Sequence, residues 1–220
     1  MKYISTYIII LLLSSCEKSQ EEIVEKAVDF SELQNRNNVK YLPNQDIPFT
    51  GWAKEIYPNG QIKALSEFKG GKLEGTGIRW FENGQKMTEV GYKDGVREGK
   101  SIGWYENGLI KGEANWKKGK PEGIWTEWYE SGQKKGETVA KNGKNHGNAT
   151  IWYPNGQKKL EGRWNDGKEE GLWVSWYENG QKKSQGNYLK GRLEGLKTLW
   201  NDKGKIKDET FFKNGQKPIK

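Results

Sequence analysis

Glu74, Glu98, Glu122, Glu170 and Glu194 recur at separations of 24 or 48 residues, and carboxylates so placed could serve as an acid–base pair or as calcium ligands. A catalytic pair, however, needs two carboxyls in unlike environments that push their pKa values apart. Acids that recur with one period share one environment. His146, the sole histidine, falls in the same row, one place before a glycine, and reads as a repeat position rather than a base. Lys134, Lys135, Lys158, Lys159, Lys182 and Lys183 form a basic stripe that would suit anionic lipid or nucleic acid. Glu130, Glu137, Glu161 and Glu178 stand among them, so a solvated mixed-charge surface is the better reading. The Asn-Gly and Asp-Gly pairs hold the glycines of a phosphate loop, but no GxxxxGK[ST] occurs and no helical pattern follows them. These residue types predict no catalytic residue, no metal site and no cofactor.

Tryptophan is left as the chemistry-bearing residue. Trp80, Trp104, Trp128, Trp152 and Trp176 head or precede copies of one octapeptide, written WFENGQKM, WYENGLIK, WYESGQKK, WYPNGQKK and WYENGQKK. Their first use is to build a sheet; rings left accessible form the candidate binding surface, for a protein or, as the alternative, for a glycan.

Cys16 is the only cysteine, so the chain cannot build a disulfide within itself or a thiolate metal cluster. Before it come Lys2, the apolar run from Tyr7 to Leu13, and Leu13-Ser14-Ser15-Cys16. The run is too short to span a bilayer, which takes about 20 apolar residues. It reads as an export signal, and its end resembles the lipobox of bacterial lipoproteins. That resemblance implies lipidation at Cys16, a membrane anchor through it, and a place in the bacterial cell envelope, at the outer membrane if the cell is Gram-negative. The expected division is a signal peptide at 1–15, a solvated tether at 16–38, a cap at 39–50 and a repeat domain at 51–217.

What positions the tryptophans is a repeat. Gly60, Gly84, Gly108, Gly132, Gly156, Gly180 and Gly204 are 24 residues apart, and two further glycine series, from Gly71 to Gly215 and from Gly51 to Gly195, keep the same period. Only 33% of the residues are hydrophobic, while 12% are aromatic and Gly occurs 29 times. Such a mixture suits short strands and tight turns better than helices or an aliphatic core. Pro58 and Pro154, two places before Gly60 and Gly156, set the φ of a type I turn, with Asn third and a left-handed Gly fourth. The Gly71 series, as in KDG at 93–95 and KNG at 141–143, is expected to turn in the same way. Seven copies then give roughly fourteen antiparallel strands in one single-layer meander.

Alternation assigns the faces. One is expected to carry the tryptophans together with Ile78, Ile102, Thr126, Thr150, Val174 and Thr198, and also Phe68, Tyr92, Trp116, Trp164, Tyr188 and Phe212. The other carries Tyr57, Phe81, Tyr105, Tyr129, Tyr153 and Tyr177 among polar residues and should be the wetter one. Ala140, where other copies have an aromatic residue, marks a soft spot.

GNYLKGRLEG (186–195), GRWNDGKEEG (162–171) and GYKDGVREG (91–99) resemble the MORN repeat, and with WYENGQKK between them the match is to its bacterial variant, found in YwqK-type antitoxins. The resemblance implies an all-β, elongated sheet of hairpins with no catalytic centre, used for protein or membrane-surface contact. The expected function is a non-enzymatic, lipid-anchored scaffold that binds another envelope protein. The alternatives are a glycan or anionic-surface module and an antitoxin or immunity protein. A formal net charge of +8, spread as interleaved acids and bases, disfavours nucleic acid as a partner.

Overall fold

The computed structural model describes residues 20–217; Cys16, the expected signal peptide and Pro218, expected to help blunt the last edge of the sheet, lie outside them. Two compact units meet in sequence at Val96 and Arg97. The first contains helix α1 (20–26) and strands β1 (Val28–Asp29), β2 (Gln34–Arg36), β3 (Val39–Tyr41), β4 (Gly51–Ile56), β5 (Ile62–Lys69), β6 (Lys72–Trp80) and β7 (Lys86–Lys93). In the second come β8 (Val96–Trp104), β9 (Ile110–Lys117), β10 (Lys120–Pro121), β11 (Gly123–Trp128), β12 (Lys134–Lys141) and β13 (Lys144–Trp152). It continues with β14 (Lys158–Asn165), β15 (Lys168–Trp176), β16 (Lys182–Leu189), β17 (Arg192–Trp200) and β18 (Ile206–Phe212). Within each unit the repeat strands follow one another as an antiparallel meander, as expected. Two details depart from it. β1 adds to β4 in parallel, Val28 opposite Ala53. Pro121 divides one strand into β10 and β11, because proline has no N–H for the ladder, and Glu122 N–H instead donates to Asn115 O at 2.9 Å.

The Gly60 series forms the expected turn. Gly60 has φ +87°, and its N–H donates to Tyr57 O at 2.9 Å, while Tyr57 N–H donates to Gln61 O at 2.8 Å. The Gly71 series does not turn in the same way. Asp94 and Gly95 both have positive φ, +51° and +84°, as do Asn142 and Gly143, and Lys141 pairs directly with Lys144. This is the two-residue I′ turn, whose twist matches that of the flanking strands. No proline occupies this series to fix the first turn residue at negative φ, so Asn and Asp take the left-handed conformation they tolerate.

The facing of the strands also differs from expectation. Leu65 lies opposite Ile78, and Ala64 opposite Arg79; Tyr92 lies opposite Gly75. Directly opposed residues share a face, so Trp80 and Ile78 are on one face and Phe68, Tyr92, Ala64 and Ser66 on the other. The reason is where the bulges fall. The one-residue shift sits between Arg79 and Trp80, at the very end of the strand, so most of the strand stays in step with Arg79. At the other bulge the partners change from Leu65–Ile78 to Glu67–Glu74, a shift of two residues that leaves the alternation intact. In the second unit the same register puts Trp128, Trp152 and Trp176 on one face and Trp116, Trp164 and Tyr188 on the other.

Residues 23–33, expected as part of a solvated tether, are instead packed on the first unit. Ala27, with Ile23 and Val24 of α1, covers Leu65 and Trp80 on the Trp80 face. On the opposite face Leu33, Phe30 and Phe49 cover Ala53 and Phe68, with Phe30 edge-on to Phe68 at 5.8 Å. A short 3-10 turn, Phe30–Glu32, aims these side chains; Asp29 caps it by accepting from Ser31 N–H at 2.8 Å. The Ser31 hydroxyl, and then its N–H, hold the Asp29 carboxyl below its usual range, so the cap is lost only as pH falls through that lowered value. The segment expected to cap the sheet clasps the turn between β5 and β6: Lys40 N–H donates to Gly71 O at 2.9 Å and Gly71 N–H to Phe49 O at 2.7 Å.

Candidate binding surface

The recurrent polar side chains hold one repeat to the next. Tyr105, Tyr129, Tyr153 and Tyr177 donate their phenol hydroxyls to the carbonyls of Trp128, Trp152, Trp176 and Trp200 at 2.7–2.9 Å. Asn107, Asn155 and Asn179 donate to Glu130 O, Glu178 O and Asp202 O at 2.7–3.0 Å. At the other end, Glu98, Glu122, Glu170 and Glu194 accept from the turn N–H groups of Lys118, Asn142, Lys190 and Asn214 at 2.6–3.0 Å; Glu74 serves Asp94 likewise in the first unit. These acids are turn caps. His146 stands in their row, its Nδ1 3.6 Å from Asp166 Oδ1. Tyr153→Phe is expected to cost about 0.5–1.5 kcal/mol, the net value of one such bond, read as a lower urea midpoint with unchanged slope.

The five tryptophans named from the sequence do not form one open surface. Trp80 is 5% exposed beneath the chain's own helix. Trp104, Trp128, Trp152 and Trp176 are half-buried. Lys134 and Lys158 reach over the rings of Trp152 and Trp176, 6.0 Å from their centroids, while pairing with Glu137 and Glu161 at 2.6 and 2.8 Å. That face of the second unit is a mixed-charge lattice over aromatic rings.

The opposite face of the second unit gathers the rings. Trp116 lies 6.3 Å from Trp125 and Trp164 lies 5.0 Å from Trp173, which in turn meets Tyr188 at 6.4 Å. Gly162 makes the second pair possible, since a Cβ there would collide with the Trp173 indole. Burial, and after it Glu169, raise the Tyr188 phenol above its usual pKa. Between the pairs lies a groove of about 340 Å³, floored by Gly136, Thr138 and Ala149 and walled by Trp125, Trp164 and Trp173. Trp125 and Trp173 were missed as site residues; each follows the ring of its own copy, Trp116 or Trp164, by nine positions, and that shared spacing was the available signal. In the first unit the corresponding face is covered by Phe30, Leu33 and Phe49, whereas no described segment of the chain covers the groove.

A family model described as the MORN repeat variant matches the chain six times, at residues 50–69, 73–94, 97–118, 121–142, 145–166 and 169–190. No curated protein matches it.

Proposed function

The chain belongs to the MORN repeat variant family, whose repeats are generally associated with protein or membrane binding, and from that premise we propose that it is a non-enzymatic scaffold that binds another protein through the tryptophan groove of its second unit. One observation carries this reading: the face that the chain covers with its own Phe30, Leu33 and Phe49 in the first unit is open in the second, where its rings are largest. The acids that could have done chemistry are engaged as turn caps. Close lysine–glutamate pairing on the other face favours protein contact over an anionic surface, which would need unpaired positive charge.

Deleting residues 100–123, one repeat length, should preserve the fold, because repeats touch only their neighbours, and should lower partner capture by cross-linking from membranes by degrees. A turnover activity abolished outright by His146→Ala or one glutamate substitution would overturn the scaffold. Its anchor is Cys16, in the envelope of a bacterium. Mass spectrometry of the mature protein should find that cysteine acylated at the N-terminus, and an unmodified Cys16 in purified membranes sinks the anchor.

A further inference from the structure

The Trp116–Trp125 pair and the Trp164–Trp173 pair stand 48 residues apart, and the copy between them has Ala140 and Ala149 at the two corresponding positions. The strands of that copy keep the ladder of their neighbours, with Thr138 opposite Ala149. The repeat therefore omits one pair of rings without losing its backbone frame, and the groove of about 340 Å³ lies there. For scale, an apolar cavity of about 150 Å³ takes up benzene.

Two polar atoms at this place have no hydrogen-bond partner although buried, Thr138 Oγ1 and Trp173 Nε1, and Trp173 is only 8% exposed. Buried donors in native proteins are normally paired, so both are groups left for a ligand to satisfy, which for the covered Trp173 Nε1 takes a small turn of the indole toward the gap. We propose that the gap seats an aromatic side chain of the partner polypeptide, its ring between the two tryptophan pairs and a carbonyl of its own main chain accepting from Trp173 Nε1. The first unit supplies the precedent within the molecule, where Phe30 packs edge-on against Phe68 on the corresponding face, beside Leu33. A sugar fits worse. Each pyranose brings several hydroxyls that need partners once buried, whereas the surface of the gap is mostly apolar, its acids Glu137 and Glu127 are paired with Lys134 and Lys135, and Trp173 is engaged by Trp164 and Tyr188 rather than laid open as a platform.

The proposal deepens the protein-binding reading and rests on it, but it is tested on the chain alone. The ¹⁵N-labelled protein is titrated with N-acetyl-phenylalanine amide, and separately with chitobiose, while the Trp173 indole N–H resonance is followed. The amide should shift that resonance saturably and chitobiose should not. Ala149→Trp, which gives this copy the residue of its neighbours, should abolish the response. Ala149→Leu blocks the same space with less bulk and should weaken it at least tenfold, so the test survives if the tryptophan variant fails to fold. Thr138→Val leaves the gap open and should weaken binding about threefold. No saturable shift with the amide, undiminished binding in the folded Ala149 variants, or saturation by chitobiose in place of the amide overturns the proposal. Any of these results would leave partner capture by the chain to stand or fall by its own experiment.

Discussion

Gly71→Ala lowers the stability of the N-terminal unit by about 2–5 kcal/mol, whereas Gly70→Asn in the same turn is nearly neutral. Both glycines have positive φ, +56° at Gly70 and +74° at Gly71, so conformation alone does not separate them. Surroundings do. A Cβ at Gly70 meets nothing within 4 Å, while one at Gly71 runs into Val39 Cγ1 and comes within 2.7 Å of Lys40 O. The left-handed penalty of about 1–2 kcal/mol is joined there by overpacking against backbone, typically 1–3 kcal/mol. Asn142 and Asp94 already occupy the Gly70 position in other copies, and Asn tolerates that conformation. Urea denaturation of the two variants measures the contrast. Equal destabilisation would mean that the clasp of residues 39–50 on this turn is not tight.

The second large effect is expected at Leu65. It is 2% exposed, under Ala27 and beside Trp80, and in the corresponding place the later copies carry Glu89, Glu113, Glu137, Glu161, Gln185 and Glu209. Leu65→Ala should cost about 2–5 kcal/mol, the usual range for emptying a core site. Leu65→Glu should go further in kind, since a carboxylate without a partner resists burial and α1 must lift to hydrate it. Hydrogen exchange should then report loss of protection over residues 20–26. If protection there is unchanged in the folded Leu65→Glu protein, the helix does not depend on this contact.

The contrast between Leu65 and its counterparts also shows what the sequence disclosed and what it hid. The period, the hairpins and the Pro-Asn-Gly turns were legible because glycine and proline act through their own φ angles, whatever surrounds them. The second turn series was misread because an Asn-Gly or Asp-Gly pair serves both turn types; the residue before the glycine is left-handed where the residues flanking the pair face each other directly, as Lys141 and Lys144 do. Face assignment failed for a related reason. It requires knowing whether each bulge inserts an odd or an even number of residues, and the odd one falls at Trp80, where it moves almost nothing. The cover over the first unit was hidden in a polar stretch whose few apolar residues are divided between the two faces of the sheet, Ile23, Val24 and Ala27 on one and Phe30 and Leu33 on the other. Its one visible mark was a leucine in a column of acids. Of the candidate site, Trp116, Trp164 and Ala140 were noticed, but their partners Trp125, Trp173 and Ala149 became meaningful only when the strands set them side by side.

The recurrent side-chain ties between repeats run one way. Tyrosine, asparagine and glutamate side chains of one copy engage the backbone of the copy that follows it in the chain, and the backbone they engage is common to every residue type. The array thus has a head and a tail, like a vinyl polymer, with a fixed side-chain connector on one side of each copy and a backbone partner, carbonyl or N–H, on the other. A copy can change what it displays without losing its grip on its neighbours, provided its own connector remains. The octapeptide at 200–207 shows the rule by exception: Asn201 stands where Tyr177 stands one repeat earlier, and its side chain accepts from Lys203 and Lys205 N–H inside its own turn.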